Sequence, residues 1–283
     1  MATVASLLSY PIKGCAGVPA HTALLTPAGL AHDRSFMVTS EAGVFRTQRR
    51  DPRLALIRPE IDTAGEALTL HAPDPGPDPL VVEVDASGPP RPVDLFGAPY
   101  TGIDQGDEAA AWLSAVLGAP SRLVRVPADH HRVTDGRTPG TSGYADSCAV
   151  HVLSRSTLAL LHERLGEKGA EGEEGARAIP MERFRPNIVV DGWDTPHTED
   201  RAHRITVGDA ELAYAKLAIR CAVTMVDQRT GTRAGPEPLR TLAAYRRAPE
   251  GGVAFGTKYA VLRPGKLSVG DEVRVTAWGE PEI

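Results

Sequence analysis

The cysteine at position 221 is the residue whose type and surroundings point most directly to chemistry. It follows Arg220 and precedes the β-branched, apolar run Ala222–Val226. A cationic neighbour favours the thiolate form of a thiol, which serves as a nucleophile or as a ligand for a soft metal ion. A buried, apolar cysteine next to a surface arginine is the more common arrangement, and the residue types alone favour it. Whether Cys221 is a reactive thiol or an ordinary core residue must therefore be decided from residues elsewhere in the chain.

A second pair of this kind lies near the start of the chain, where Lys13 and Gly14 follow the predicted strand Val4–Ile12. A lysine beside a glycine at a strand end offers an anion both a positive charge and an approachable backbone. An exposed turn lysine is the simpler explanation when the pair is considered alone.

The elements that position these residues are mainly short strands. β-Branched and apolar runs, bounded by glycine, proline and asparagine or aspartate, are typical of strands. A strand is predicted through Cys221 to a turn at 227–231, and another after Pro186. The remaining predicted strands are Val4–Ile12, Ala23–Leu25, Ser35–Thr39, Val44–Gln48, Leu54–Arg58, Ala67–His71, Leu80–Val84, Ser121–Val126, Ala149–Leu153, Arg204–Val207, Ala210–Tyr214, Val253–Leu262 and Glu272–Thr276.

Helices are predicted at only a few places. Asp107–Leu117 has apolar residues at helical spacing and ends at Gly118, and Ser154 is a candidate N-cap for Arg155–Leu165. A short amphipathic helix is predicted at Pro238–Tyr245. We expect 166–178 to be flexible or helical and exposed, and 265–271 to link the last two strands. This pattern predicts a mostly β protein, with β-barrels that carry a few helices.

The totals exclude several classes of protein. The chain has 283 residues and a net charge of −5, so no basic excess suggests nucleic-acid binding. No apolar run approaches the roughly 20 residues that span a bilayer, and we expect no membrane partner. The three cysteines, Cys15, Cys148 and Cys221, are too few for a disulfide framework. We therefore expect a cytoplasmic protein.

A series of short motifs, in order along nearly the whole chain, resembles the MOSC proteins, which are named for the C-terminal domain of molybdenum cofactor sulfurase. Within that family the motifs are similar to those of the mitochondrial amidoxime reducing component and its bacterial relatives. The matching stretches are Tyr10–Cys15, His32–Val38, Thr47–Arg49, Phe184–Asn187, Arg220–Thr224, Val226–Asp227 with Thr230–Gly231, Pro238–Leu242 and Phe255–Gly256.

The resemblance implies a fold and a domain order. We expect a smaller N-terminal β-barrel or α+β domain at 1–118 and a β-barrel MOSC domain with a few helices at 119–283. Residues 1–34 are also expected to contribute to the cofactor site.

The resemblance also implies an activity, the reduction of N-hydroxylated small molecules with a molybdenum cofactor (molybdenum–molybdopterin). In that scheme the thiolate of Cys221 ligates molybdenum and is the catalytic residue. The residues expected to contact or line the cofactor are Lys13, Gly14, Arg34, Asp146, Ser147, Cys148, Arg185, Asn187, Ile219 and Arg220. Gly14 and Ile219 stand where relatives often carry serine, and Lys258 stands where a small polar or aromatic residue is expected.

The residue types agree with that implication. A molybdopterin has an anionic phosphate and a polar pterin, and the side chains of Lys13, Arg34, Arg185 and Arg220 are suitable donors to both. We therefore expect these residues to converge with Cys221 on one pocket.

The resemblance leaves the redox partner and two other functions open. The chain ends at Ile283 without the ferredoxin-like domain of some bacterial relatives, so we expect electrons from a separate donor protein or a small reductant. One alternative is a sulfur carrier that holds a persulfide on Cys221, loaded by a partner because the chain lacks a pyridoxal phosphate-dependent sulfurase domain. The other is a protein that binds the cofactor without catalysis.

Overall fold

The computed structural model describes residues 1–169 and 178–283, and strands dominate it. The strands are β1 (Thr3–Ser9), β2 (Ile12–Lys13), β3 (Val18–Ala20), β4 (Thr22–Thr26), β5 (Gly29–Leu30), β6 (Phe36–Ser40), β7 (Arg58–Ile61), β8 (Ala67–His71), β9 (Leu80–Glu83), β10 (Pro90–Leu95), β11 (Ala98–Asp104), β12 (Ser121–Arg125), β13 (Val133–Thr134), β14 (Gly140–Thr141), β15 (Val150–Ser154), β16 (Ile188–Asp191), β17 (Ala202–Val207), β18 (Ala210–Arg220), β19 (Val226–Asp227), β20 (Thr232–Arg233), β21 (Val253–Arg263), β22 (Gly265–Ser268) and β23 (Val273–Trp278).

The helices are few and mostly short. The α-helices are α1 (Gly106–Leu117), α2 (Arg155–Gly169) and α3 (Leu239–Leu242), and the 3₁₀ helices are Pro52–Leu56, Met181–Phe184, Thr198–Asp200 and Ala222–Met225. No helix within 1–169 or 178–283 is long and apolar enough to cross a membrane. Most of the segment predicted to be flexible or helical, residues 170–177, lies outside the described residues.

The larger sheet has eight strands in the order β23-β17-β18-β21-β15-β16-β1-β3. Its pairs are antiparallel except β15 with β16, which run parallel. An isolated antiparallel bridge joins Thr3 to Glu272, and the amide of Val273 donates to the carbonyl of Ala2 at 2.9 Å. The sheet therefore curls until β1 approaches the residues just before β23, but an isolated bridge and a few backbone hydrogen bonds stand there in place of a continuous ladder, so the barrel is not closed.

A second core lies between a five-stranded sheet, β10-β11-β12-β6-β2, a three-stranded sheet, β7-β8-β9, and helix α1. The helix buries Trp112, Leu113 and Val116 against Phe36 and Leu123 of the five-stranded sheet. Burial of apolar side chains at about 25 cal/mol per Å² is the main force that holds the helix there.

The first strands cross between the two cores. β1 and β3 belong to the eight-stranded sheet, β2 pairs in parallel with β6 in the five-stranded sheet, and β4 pairs with β22 near the end of the chain. Lys13, at the end of β2, is therefore carried to the junction of the two cores. The division at residues 118 and 119 remains a prediction.

The mostly β prediction is confirmed, and so are two of the helices. α1 ends at Gly118, whose φ of 69° is the left-handed conformation that glycine adopts readily. In α2, the hydroxyl of Ser154 accepts the amide of Thr157 at 3.2 Å, the bond expected of an N-cap. The third helix is shorter than predicted and covers only Leu239–Leu242.

The predicted strand through Cys221 is wrong. β18 ends at Arg220, and Ala222–Met225 forms a 3₁₀ helix. The carbonyl oxygen of Cys221 accepts hydrogen bonds from both the amide and the hydroxyl of Thr224, each at 3.0 Å. This local pair of bonds outweighs the β propensity of Val223 and Thr224, because a hydroxyl that bonds a nearby backbone group favours a turn.

Three other element predictions are also corrected. The predicted return strand 44–48 is reduced to isolated bridges, Thr39 with Phe45 and Val44 with Asp94. Most of the predicted strand 54–58 is the 3₁₀ helix Pro52–Leu56, which starts at a proline, where helices tolerate one. The predicted linker 265–271 contains β22, which pairs with β4.

Candidate functional site

A pocket of about 390 Å³ lies between the two cores, and every residue predicted for the site lines it. Its walls come from the end of β2, the turn after Ala145, the 3₁₀ helix Met181–Phe184 and strands β18 and β21. The predicted residues it brings together are Lys13, Gly14, Arg34, Asp146, Ser147, Cys148, Arg185, Asn187, Ile219, Arg220 and Cys221. Within the described ranges, no three histidine, cysteine or acidic side chains cluster as a metal site.

Cys221 is the cysteine of the three that is not buried. It sits between the end of β18 and the first turn of the following 3₁₀ helix, so a long sheet strand fixes its position. Cys148 also lines the pocket but is buried, and its thiol donates to the carbonyl of Asp135 at 3.5 Å. Burial raises the pKa of the Cys15 thiol to about 12, so that group stays protonated. Cys221 is therefore the thiol best placed to meet a ligand in the pocket.

Two arginines of the site are held on the ring of Tyr10. The guanidinium of Arg34 lies 4.2 Å from the ring centroid and that of Arg185 lies 4.3 Å from it. Burial raises the pKa of Tyr10 to about 12 although both arginines act in the opposite direction, and its hydroxyl donates to Pro186 O at 3.1 Å. Arg185 has a φ of 57° at the end of its 3₁₀ helix, and its Nη2 is buried without a hydrogen-bond partner among the described residues.

The side chain of Asn187 joins several segments of the site by hydrogen bonds. Its Nδ2 donates to Leu8 O at 3.1 Å and to Asp33 Oδ1 at 3.0 Å, and its Oδ1 accepts from the amide of His151 and from Arg34 Nη1. The carboxylate of Asp33 in turn binds Arg34 Nη1 at 2.6 Å. The amide of Asn187 is therefore occupied by protein groups, which makes it a support for Arg34.

Lys13 and Asp146 form an ion pair at the edge of the pocket. The ammonium of Lys13 is buried and also donates to Tyr144 O at 2.9 Å. Burial lowers the pKa of Lys13, and Asp146 opposes that change. The Lys13 ammonium beside it holds the pKa of the Asp146 carboxyl well below its usual range. Gly14 follows at a φ of 83°, and its carbonyl accepts Gln48 Nε2 at 2.6 Å.

The pocket is strongly basic. Its lining holds the basic residues Lys13, Arg34, Arg46, Arg49, Arg185, Lys216, Arg220 and Lys258, and the acidic residues Asp146 and Glu250. Arg220 donates to Phe184 O at 2.7 Å, but its Nε is buried without a partner in the described part of the chain. Unpaired donors of this kind are costly in an empty site and are satisfied by an anionic or oxygen-rich ligand.

Sequence reasoning missed several residues of this lining, among them Lys216 and Phe96. Lys216 lies within the otherwise apolar stretch Ala213–Ala218 of β18, and a lone charge inside a buried strand was the available signal. Phe96 lies in the two-residue turn between β10 and β11, and its ring packs 4.8 Å from the ammonium of Lys13. Nothing in the local sequence around Phe96 indicates that contact, because it depends on how the two cores meet.

A larger cavity of about 960 Å³ shares Arg185 with this pocket but not Cys221. Its walls include Tyr10, Ala178 and Ile179. The smaller pocket is therefore the candidate site, because it contains Cys221 and the other residues predicted for it.

Comparison with known proteins gives the same domain order along the chain. The MOSC N-terminal beta barrel domain matches residues 1–120, and the MOSC domain matches residues 139–274. Human mitochondrial amidoxime-reducing component 1 is 32% identical over 289 residues, which cover 96% of this chain and 82% of that protein. Rat mitochondrial amidoxime reducing component 2 is 33% identical with the same two coverages. Zebrafish molybdenum cofactor sulfurase is 31% identical over 91% of this chain and 32% of its own length.

Proposed function

The chain belongs to the MOSC family, and from that membership we propose that it is a molybdenum cofactor-dependent oxidoreductase that reduces N-hydroxylated small molecules. In this proposal Cys221 is the protein ligand of molybdenum. The observation that carries the proposal is the pocket itself, where Cys221 meets basic residues drawn from four distant parts of the chain.

The donor set fits a molybdopterin. Arg185 Nη2 and Arg220 Nε, which are buried and have no partner in residues 1–169 and 178–283, are the groups a phosphate or a polar pterin would satisfy. Lys13 and Arg34 add charge from the other core, and Asp146, Ser147 and Cys148 close the adjoining wall. Because one thiolate is too few ligands for a protein-bound metal, a metal that arrives with its own organic ligand suits this site.

The residues of the chain have separable roles in this proposal. When bound, the cofactor supplies the two-electron redox centre required to cleave an N–O bond with two protons and release water. Tyr10 orients Arg34 and Arg185 by stacking, and the carbonyl of Phe184 orients Arg220. Fixed cations of this kind bind an anionic ligand without reorganisation.

Two further parts of the proposal rest on the sequence. We propose a separate electron-donor protein, because the chain's three cysteines cannot supply a four-thiolate iron–sulfur site. A cytoplasmic location is proposed from the same sparse cysteine content.

The test is metal and pterin analysis of the purified protein, followed by benzamidoxime reduction with a chemical reductant. We expect bound molybdenum and turnover in the wild type, and loss of turnover in Cys221→Ala. Cys15→Ala is the matched control, since it removes a buried thiol that does not line the pocket. A Cys221→Ala protein that keeps both molybdenum and activity would refute the ligand role, and bound cofactor without turnover would indicate the non-catalytic alternative.

A second candidate function is sulfur transfer through a persulfide on Cys221. The similarity to molybdenum cofactor sulfurase over 91% of this chain favours it. Intact-mass analysis of the protein as purified distinguishes the two functions, because a persulfide adds one sulfur atom to Cys221 and needs no molybdenum.

A further inference from the structure

Two lysines of the pocket lie directly opposite each other on adjacent strands of the eight-stranded sheet. Lys216 of β18 and Lys258 of β21 are partners in the antiparallel register, and both line the pocket. Like charges at directly opposed positions destabilise a strand pair. The pair is therefore a local cost that the fold itself does not explain.

The groups around Lys258 do little to offset its repulsion from Lys216. Lys216 binds the exposed carboxylate of Asp135 at 2.5 Å, but the side-chain ammonium of Lys258 makes no hydrogen bond or ion pair with any residue in the described ranges. On its other side, its register partner is His151 of β15. Burial, together with Lys258 and Arg220, lowers the pKa of His151 well below its usual value, so the ring is neutral.

Burial and the nearby Arg220 and Arg34 lower the pKa of Lys258 to about 7. Asp146 and Cys148 act in the opposite direction and favour its protonated form. Asp146 is already paired with Lys13. An anion beside Lys258 would restore the ammonium and supply the missing partner.

The lysine pair is separate from the cations that Tyr10 and Asp33 hold in place. Arg34 is bonded to Asp33, and Arg185 is stacked on Tyr10, so these cations have fixed directions. Lys216 lies on β18, which also carries Ile219 and Arg220 toward the thiol, and Lys258 lies on the neighbouring strand β21. The pocket thus has two basic walls. One carries Arg34 and Arg185, and the other, on the eight-stranded sheet, carries Lys216 and Lys258.

We propose that the Lys216–Lys258 pair binds an anionic group of the substrate, so that the preferred N-hydroxylated compound carries a carboxylate. This inference rests on the proposed function and names its substrate class. Lys258 is the specificity-determining residue, because its ammonium, unlike that of Lys216, binds no carboxylate in the described part of the chain.

The test compares two substrates that differ only in that charge. With molybdenum-loaded protein and a chemical reductant, kcat/KM is measured for benzamidoxime and for 4-carboxybenzamidoxime. We expect a preference of about tenfold or more for the carboxylated compound, the size expected of one charge-assisted hydrogen bond. Lys258→Met should abolish the preference, and Lys258→Arg should retain it. Lys266→Met, at an exposed position on β22, is the matched control and should leave the preference unchanged.

A binding measurement provides a readout that does not depend on turnover. Calorimetric titration with benzoate should give a Kd about tenfold weaker for Lys258→Met than for the wild type. Equal affinities would overturn the inference.

The remaining outcomes separate the inference from the proposed function. If the loaded wild type reduces neither compound, the proposed function fails, and the benzoate titration still decides whether the lysines form an anion site. If it reduces both compounds with equal efficiency, or if Lys258→Met keeps the preference, the inference is wrong. If Lys258→Met purifies without molybdenum and pterin, the anion belongs to the cofactor phosphate, and the substrate assignment is overturned.

Discussion

Arg34 Nη1 donates a hydrogen bond to Asn187 Oδ1 at 3.2 Å and so joins positions that are 153 residues apart. The same amide group binds the backbone at Leu8 and His151 and the carboxylate of Asp33. Three other segments of the chain therefore bind one side chain, and that side chain helps to fix the direction of the Arg34 guanidinium.

Replacement of Asn187 should act on stability as well as on the site. Asn187→Ala leaves several buried donors and acceptors unpaired, and we expect a loss of about 3 kcal/mol in the free energy of unfolding. Urea denaturation of the cofactor-free protein measures it. Thr22→Ala, which removes a hydroxyl from an exposed hydrogen bond, should stay within about 0.5 kcal/mol of the wild type. An Asn187→Ala protein of full stability that fails to bind cofactor would show that the amide serves the ligand instead.

The ring of Tyr10, more than its hydroxyl, should matter for cofactor binding. Tyr10→Phe keeps the platform for Arg34 and Arg185 and loses one hydrogen bond, at a cost of about 1 kcal/mol in stability. Tyr10→Leu removes both cation–π contacts, each worth about 0.5–2 kcal/mol, and should purify with much less molybdenum. Molybdenum per chain, measured side by side for the two variants, checks this. Equal loss in both would assign the effect to the hydroxyl.

The Lys13–Asp146 pair should respond asymmetrically to substitution. The side chain of Lys13 is 6% exposed and that of Asp146 is 63% exposed. Asp146→Asn leaves a buried ammonium without its counter-ion, and we expect a loss of about 1–2 kcal/mol. Lys13→Met leaves a carboxylate that water solvates, and it should cost less despite the larger chemical change. Urea midpoints at neutral pH show which variant is less stable. A larger loss for Lys13→Met than for Asp146→Asn would contradict this prediction.

The lowered pKa of Lys258 predicts how stability depends on pH. Its pKa is about 7 in the folded protein and 10.5 in its ordinary state, so the unfolded chain binds the additional proton between these values. Stability should therefore rise as the pH increases from about 7 to 10, with a slope of at most about 1.4 kcal/mol per pH unit for one proton.

The comparison of wild type with Lys258→Met isolates this contribution, because other groups titrate in the same range. We expect the variant to be the more stable protein at pH 7 and to show a flatter stability profile above it. Thermal unfolding of cofactor-free protein at several pH values measures both. If stability depends on pH in the same way in the two proteins, the pKa of Lys258 in the folded protein is not lowered, and this prediction is wrong.

The sequence was most informative where a local rule decides the structure. The spacing of Leu113 and Val116 and the position of Gly118 were sufficient to place α1, because helix periodicity and a glycine cap are both local properties. The backbone at Cys221 was predicted wrongly, because the β-branched residues around it matched a strand while the Thr224 hydroxyl bonded the Cys221 carbonyl. Local propensity yields to such a bond when the two favour different structures.

The candidate site was accessible mainly through the family resemblance. Lys13, Arg34 and Arg185 carry ordinary residue types, and only an ordered set of motifs linked them to Cys221. The pairing of Lys216 with Lys258 was beyond the sequence, because the register of β18 on β21 shifts between Tyr214 and Lys216 and again between Leu217 and Ile219. An irregular register of this kind depends on the whole sheet.

The crossing of β1 into the eight-stranded sheet sets an order of events for the newly made protein. Strand β1 finds its partner β16 only after residue 191 has been synthesised, and the bridge from Thr3 needs Glu272. The pocket likewise needs Lys13 from the start of the chain and Lys258 from near its end. The complete pocket therefore forms only after residue 258 has left the ribosome, so a ligand that needs Lys258 cannot bind before that point. For the same reason, fragments cut at residue 118 should not reproduce the pocket separately.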